Sequence, residues 1–411
     1  MERYEFTTRS SGSEPAVQQQ SSVLFATIAA GGSHVSTAEA MSEALHDAYP
    51  GRFKTSVREP MRDFGFEELD RNHKEGWRKA LRNPWSIVWG QRLIDALPAA
   101  TAAFHRRLLR DFAKRAASEL LKSPPDLIVV NHGWLTTALT MAQRRFGLEV
   151  PVVTFETSTL NANALWAEPN AERFVVASPV SKRRLVGFGV PAGRIDVVGY
   201  PVRRAFLRPP ARDDARRALG LLNVFTCLVA LGGEGVGGAP ERVVKTLLGV
   251  PDVQVVVVTG RNEPLRRRLG SLSSRHPRLK VVGFVEDMAA YLAASDVVIG
   301  KTGPATVFET LAVGRPLLSP MRFGNAENKM LGLLETHGVG GYVPSSEELL
   351  SAVREYRDSP ELLSRIERRC KELDLPGMAA RLAHYLAHYA RTRQPHAQSC
   401  GAGVPLLPAS E

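Results

Sequence analysis

The chain has 411 residues, 44% hydrophobic and 23% charged, the composition of a globular protein of about two domains. Its three cysteines, Cys227, Cys370 and Cys400, form no CxxC pair, which excludes a zinc ribbon and a disulfide framework and points to a reducing compartment. The formal net charge is +11, and residues 52–122 hold 16 Lys/Arg against 9 Asp/Glu. No zinc finger, ribonucleoprotein aromatic motif or Gly-x-x-Gly clamp accompanies that charge. Its expected partners are an anionic membrane surface or a nucleotide diphosphate, with no nucleic acid.

Residues 1–20 are polar and mixed in charge and lack the apolar centre of a secretory signal, so a disordered tail is expected. No apolar run is long enough to cross a bilayer. Residues 22–29 read as a strand that opens into Gly31, Gly32, Ser33 and His34. A helix follows, with Ala38, Met41, Ala44 and Leu45 on one face. His34 at that turn is a cap, a solvated loop residue or a base at a cleft.

Residues 59–90 show little strand character. They hold three of the five tryptophans, Trp77, Trp85 and Trp89, among Arg78, Lys79, Arg82 and Arg92. Tryptophan with Lys/Arg suits a bilayer interface, so Trp85, Trp89 and Arg92 are membrane-contact candidates; packing inside a helix pair is the alternative. A long helix over 97–121 leads to strands at 126–131, 150–155, 173–177 and 195–198. Ligands bind beyond the carboxyl ends of parallel strands, which places His34, His132 and Glu156 on one side. The rhythm breaks after Phe206, and the charged stretch from Arg208 to Arg217 reads as a linker.

The second half restarts with a strand at 225–231 and five glycines in the seven residues 232–238. Strands at 253–259 and 279–282 and a helix over 288–294 follow. Next comes a strand–turn–helix unit, 297–316, that carries Glu309 about two turns into its helix. Such a turn offers free backbone N–H groups and a positive dipole end to a phosphate. Short strands at 316–318 and 341–343 close the set, and a helix from Pro376 to about Arg391 crosses back to the first half. The α/β pattern predicts two Rossmann-like domains facing across a cleft. The expected divisions are 21–206 for acceptor binding, 207–365 for the donor, 366–392 for the crossing helix and 393–411 for a disordered tail.

Several motifs together are specific. They are Gly232-Gly233-Glu234-Gly235, the run 255–262 ending in Gly260-Arg261-Asn262, Gly283-Phe284-Val285, Lys301-Thr302-Gly303-Pro304-Ala305-Thr306 with Glu309, and Asn325-Ala326-Glu327. In the first half they are joined by Gly31-Gly32-Ser33-His34, Asn83-Pro84-Trp85 and Gly199-Tyr200-Pro201-Val202-Arg203. Over residues 22–343 the chain resembles GT-B glycosyltransferases of the monogalactosyldiacylglycerol synthase and diacylglycerol glucosyltransferase type. These are relatives of the peptidoglycan N-acetylglucosaminyltransferase.

The resemblance implies inverting transfer of a hexose from a UDP-sugar donor to a lipid hydroxyl, with diacylglycerol the expected acceptor. It implies that Phe284 and Val285 read the uracil and that Glu309 holds the ribose. Gly233, Glu234, Gly235, Thr302, Gly303, Pro304, Ala305, Thr306 and Arg203 would surround the diphosphate, and Asn325 and Glu327 the sugar. Gly31 and Gly32 join the substrate-binding set, and no cofactor or catalytic metal is implied. His34 and Glu156 are the candidate bases. The chain departs from the family at Thr154-Phe155-Glu156 and at Asn161 and Asn163 before Trp166, where the lipid enzymes often show Thr-Asp and then a histidine. Another acceptor, a UDP-sugar 2-epimerase and a non-catalytic nucleotide-sugar binder are the alternatives. The expected location is cytoplasmic, peripheral on the inner face of the cell membrane.

Overall fold

The computed structural model describes residues 20–400 except positions 234, 236–238 and 323. Within them lie two six-stranded parallel sheets with helices on their faces. The first sheet is formed by β1 (Ser21–Ala26), β2 (Phe53–Arg58), β3 (Leu127–Val130), β4 (Val152–Glu156), β5 (Arg173–Val176) and β6 (Ile195–Val197), in the order β2-β1-β3-β4-β5-β6. Its helices are α1 (Gly32–Ala48), α2 (Pro60–Asp63), α3 (Glu67–Arg82), α4 (Pro84–Ala96), α5 (Pro98–Leu108), α6 (Arg110–Lys122), α7 (Gly133–Phe146), α8 (Pro179–Gly187) and α9 (Arg204–Leu207).

The second unit opens with α10 (Arg212–Ala218) and then alternates β7 (Phe225–Ala230), α11 (Pro240–Leu248), β8 (Val253–Val258), α12 (Glu263–Ser273), β9 (Leu279–Val282) and α13 (Met288–Ala294). It continues through β10 (Val297–Gly300), α14 (Pro304–Ala312), β11 (Leu317–Ser319), α15 (Asn325–His337), β12 (Gly340–Tyr342), α16 (Ser346–Asp358) and α17 (Pro360–Glu372). The order β12-β11-β10-β7-β8-β9 is the doubly wound one, with its topological switch between β7 and β10. In the first sheet the chain reverses between β1 and β3. Both glycine-rich turns identified in the sequence therefore leave a strand at a switch point, where a crevice opens beyond the strand ends.

Helix α18 (Leu375–Thr392) returns from the second unit to pack on α1. Tyr385 donates from its hydroxyl to Asp196 at 2.6 Å, and Met378 sits over Gly199. One apolar cluster joins Phe25 of β1, Tyr200, Phe308 of α14, Leu228 of β7 and Leu382 of α18. Burial of these large side chains, each contributing on the order of 2 kcal/mol, holds the two sheets together.

Some elements differ from their sequence-based expectation. The edge strand β2 was not anticipated, because only Phe53 of FKTSVR is buried and its alternation is weak. The long helix over 97–121 is two helices, broken at Leu109, whose ψ of 5° leaves the α region while its side chain goes fully inward. The stretch read as a linker contains α10, which docks on the second unit. There Arg216 bonds the Ala294 carbonyl and, with Arg212, the buried Asp296. The crossing helix begins at Leu375, since α17 stays against α14 and α16. His396 to Cys400, expected to be disordered, form a closed turn with Ser399 buried, because His396 Nδ1 and the Ser399 hydroxyl bond at 2.8 Å. The tails at 1–19 and 401–411 lie outside the described residues.

Candidate functional site

One wall of the cleft is built at the second switch point. Gly300 must be glycine, since a Cβ there would lie 2.4 Å from the Ala230 carbonyl oxygen of β7. After it, Thr302 and Gly303 lead to Pro304 at the first position of α14, where the missing N–H costs nothing. The backbone N–H groups of the first turn point into the crevice. The Thr302 hydroxyl donates to the Glu327 carbonyl at 2.9 Å and so ties this turn to the start of α15, where Asn325 is the first residue.

The glycine loop after β7 is joined to the loop after β8. Arg261 N–H donates to the Gly233 carbonyl at 2.9 Å, and the Asn262 amide to the Gly235 carbonyl at 2.8 Å. Gly235 has φ of 60°, and a Cβ there would meet the Thr259 oxygen at 2.0 Å, so no other residue fits. Glu234 lies outside the described residues. Phe284 is exposed under the Arg261 guanidinium, 4.7 Å from its ring centroid, and Val285 beside it is partly buried.

The facing wall is built at the first switch point. Gly31 takes φ of 92° before α1, with the Trp77 indole nitrogen 3.5 Å from where a Cβ would stand. Gly32, the first residue of α1, is exposed. His34 follows in the first turn, and its Nδ1 lies 2.7 Å from the Asn131 carbonyl at the end of β3. A carbonyl only accepts, so Nδ1 carries the proton and Nε2 is left as a base. The Asn131 side-chain amide returns a bond to the His34 carbonyl and locks the turn. Burial pushes the His34 pKa down to about 4, partly offset by the Asn131 bond, so the ring is neutral near pH 7. His132 and Trp166 stand beside it, with ring centroids 5.0 and 6.3 Å away.

Glu156, the other candidate base, is enclosed at 0% exposure. One oxygen accepts the Ser158 N–H and the other the Ser181 hydroxyl at 2.7 Å. Burial raises its pKa, opposed by those bonds. Its carboxylate ties the loop after β4 to α8 and has no surface left open to a substrate. The strand-end rule placed it at the correct end of the sheet but cannot tell which face a side chain takes.

The two walls meet through α1 and α14. The Ser36 hydroxyl donates to Glu309 Oε1 at 2.7 Å, two residues beyond His34. Arg203, on the crossover 199–203, lies 3.4 Å from Glu39 and 3.9 Å from Glu309. Burial raises the Glu309 pKa, opposed by Ser36 and Arg203. Tyr200 of the same crossover stacks on Phe308 of α14 at 4.4 Å and bonds Thr37 of α1. The structure thus brings His34, Arg203, Glu309 and the 302–306 turn to one cleft, with the start of α15, which carries Asn325 and Glu327, tied to that turn. Ser36 and Asn131 complete the site; nothing in the sequence marked Ser36, whose role comes from tertiary contact alone. An open groove of about 610 Å³ between α1, α9 and α18, lined by Asp47, Leu207 and Ala380, holds none of the candidate site residues.

Trp85 and Trp89 of α4 are 71% and 62% exposed, and Leu93 continues their face at the next i+4 position. Arg92 lies over the Trp89 ring at 5.1 Å. Packing inside a helix pair, the alternative reading of these tryptophans, does not describe them. Among the described residues no helix is long and apolar enough to cross a membrane, and no group of three or more His, Cys, Asp or Glu side chains is placed to hold a metal ion.

Comparison with known proteins finds a family match within the second unit. Residues 239–331 match the glycosyltransferase family 28 C-terminal domain. The chain is 26% identical over 346 residues to the chloroplastic monogalactosyldiacylglycerol synthase of Spinacia oleracea, covering 79% of this chain and 64% of the relative. It is 27% identical over 254 residues to the processive diacylglycerol beta-glucosyltransferase of Bacillus pumilus, covering 61% of this chain and 65% of the relative. The chain thus spans a little under two thirds of the length of these two relatives.

Its fold is that of GT-B proteins. Anabaena HepE in complex with UDP-glucose superposes with a TM-score of 0.53 at 17% identity, covering 89% of this chain and 99% of that one. A candidate UDP-N-acetylglucosamine 2-epimerase from Listeria monocytogenes gives 0.59 at 14% identity, covering 91% and 97%.

Proposed function

We propose that the chain is a UDP-sugar-dependent hexosyltransferase that inverts the anomeric carbon as it moves the sugar to a lipid hydroxyl, diacylglycerol being the acceptor. The observation that carries this reading is the cleft itself. A neutral histidine with an unprotonated Nε2 stands on one wall and a helix N-terminus with the Glu309 carboxylate on the other, and the Ser36 hydroxyl bonds that carboxylate across the cleft. The family 28 match of the donor half and the diacylglycerol-using relatives support it.

In this reading Phe284 and Val285 hold the uracil and Glu309 the ribose. Arg203, Gly233, Gly235 and the Thr302–Thr306 turn receive the diphosphate, and Asn325 and Glu327 the sugar. His34 Nε2 takes the proton of the acceptor hydroxyl as its oxygen bonds the anomeric carbon. The bond to the diphosphate breaks with its electron pair, and the negative charge that develops is met by the N-terminus of α14 and by Arg203. These groups supply the stabilisation from the protein itself, and we assign no cofactor or metal to the step.

The exposed Trp85–Trp89–Leu93 face with Arg92 supports a peripheral position on an anionic membrane, which we place on the cytoplasmic side. Incubation with UDP-glucose, UDP-galactose and UDP-N-acetylglucosamine, with and without diacylglycerol in anionic vesicles, tests the proposal. UDP release that requires the lipid, together with a glycolipid product, is expected. Retained UDP-sugar binding without turnover on any hydroxyl acceptor would refute it. The fold likeness to the candidate epimerase motivates a second reading, which the same incubation detects as a sugar inverted at C2 without acceptor.

A further inference from the structure

The acceptor wall carries a histidine pair that the transfer step leaves unused. His132 caps α7, its Nδ1 accepting the Trp134 backbone N–H at 3.2 Å. A ring nitrogen that accepts from an amide carries no proton, so the His132 proton resides on Nε2. That Nε2 lies 3.2 Å from His73 Nε2 on α3, which is therefore the acceptor, and a neutral His73 holds its own proton on Nδ1. One backbone N–H thus fixes the tautomers of both rings. The contact survives only while His73 is neutral, because a protonated His73 would set hydrogens on the two facing nitrogens; a protonated His132 would lose the Trp134 bond instead.

The surroundings agree with neutral rings. His73 covers Trp134 at 4.1 Å, and His105 of α5 lies 5.8 Å from the same indole. Lys74, next along α3, is held by Glu59 and Asp70. Glu59 in turn accepts the Ala29 N–H at 3.0 Å, beside the His34 turn. Helix α3 is therefore clamped against the site by its ion pairs and by His73. It continues through Asn83 into α4, whose outer face is exposed.

We propose that His73, acting through His132, is a positioning residue for the transfer reaction: it holds the neutral ring wall against which His34 takes up the acceptor proton and ties helix α3 to that base. This rests on the transferase reading above. The covalent exchange is unchanged. The acceptor proton goes to His34 Nε2, the acceptor oxygen bonds the anomeric carbon, and the electron pair of the broken bond leaves on the diphosphate. His132 and His73 exchange no proton; by staying neutral they add no repulsion to the cation forming on His34.

His73→Ala and His73→Gln in the full chain test it, since the glutamine oxygen still accepts from His132 Nε2–H. We expect His73→Ala to lower kcat by about tenfold or more with KM for the UDP-sugar within about twofold, and His73→Gln to restore most of kcat. An alanine variant with unchanged kcat, or a glutamine variant as slow as alanine, would overturn the assignment. Ring-nitrogen NMR of the histidines gives a readout without turnover. His132 should appear as the Nε2–H tautomer and His73 as Nδ1–H at about neutral pH. The opposite tautomers, or a charged His73, would overturn it whatever the activity. The expected tautomers in a wild-type chain that turns over no acceptor would instead refute the transferase reading, and the role of His73 would fall with it.

Discussion

Ser36 and Glu309 come from opposite walls of the cleft, and the serine hydroxyl donates to the carboxylate at 2.7 Å. The group we assign to the donor ribose therefore already has a hydroxyl partner, and a ribose hydroxyl must displace it. Ser36→Ala should tighten UDP binding about fivefold, the worth of roughly 1 kcal/mol for one such bond. The effect should vanish in a Glu309→Ala background, which by itself should weaken binding at least tenfold, by about 1.4 kcal/mol or more. Titration calorimetry of the single and double variants checks this; weaker binding in Ser36→Ala would mean that the hydroxyl assists the nucleotide.

His34→Ala should lower kcat by about 10²- to 10⁴-fold, the range for a general base, with UDP affinity little changed. The ring pKa near 4 gives the sign of the pH profile. The neutral, basic form persists as pH falls from 8 to about 5, and kcat/KM drops only below about 4. An inflection near the ordinary histidine value of about 6.5 would show that the base is not this shielded ring.

Stability should fall with acid over a higher window. His34 and His73 are both pushed down to about 4, and His105 and His132 are also lowered, each chiefly by burial. The unfolded chain takes protons near pH 6.5 that the folded chain refuses. The contribution is therefore complete above about 6.5 and is lost as pH falls toward 4. A Tm series across that window should slope downward with acid, less steeply in His73→Gln; a flat series would contradict the shielded cluster.

Asp296 joins α10 to the second sheet through Arg212 and Arg216 and accepts the Thr226 N–H at 2.7 Å. Asp296→Ala strands a buried guanidinium and should cost about 3–5 kcal/mol in denaturant unfolding of the second unit. A loss below about 1 kcal/mol would mean that α10 is only loosely attached.

Replacing Trp85 and Trp89 by serine should reduce flotation with anionic vesicles while leaving the UDP dissociation constant unchanged. Undiminished flotation would remove this face from the membrane contact.

The glycine turns of the second unit were legible from the sequence because they belong to local strand–turn–helix units. Gly235, Gly300 and Pro304 are fixed by neighbours within one unit or by the adjacent strand, whereas the Glu309 carboxylate is met by Ser36 and Arg203 of the first unit. The acceptor side was legible only in part. His34 announces itself at a glycine turn, but its partner is a carbonyl from residue 131, and carbonyls have no sequence signature. Ser36 acts across 273 residues of chain, and Glu156 differs from an open carboxylate only by the face it takes. Helix α10 was hidden by its charge, since arginines that grip a buried aspartate look like a solvated run. Trp85, Trp89 and Leu93 of α4 follow an i, i+4 pattern that could equally have faced a core.

The return of α18 has a bearing on the order in which the molecule is made. Met378, Tyr385 and Tyr389 complete the face of the first sheet by packing on Gly199 and bonding Asp196 and Glu172. During translation the amino-terminal unit emerges with that face bare and waits for the whole second unit to pass before its cover arrives. Until residues 375–392 have left the ribosome that face stays without its cover, and a nascent-chain chaperone would find the apolar surface there.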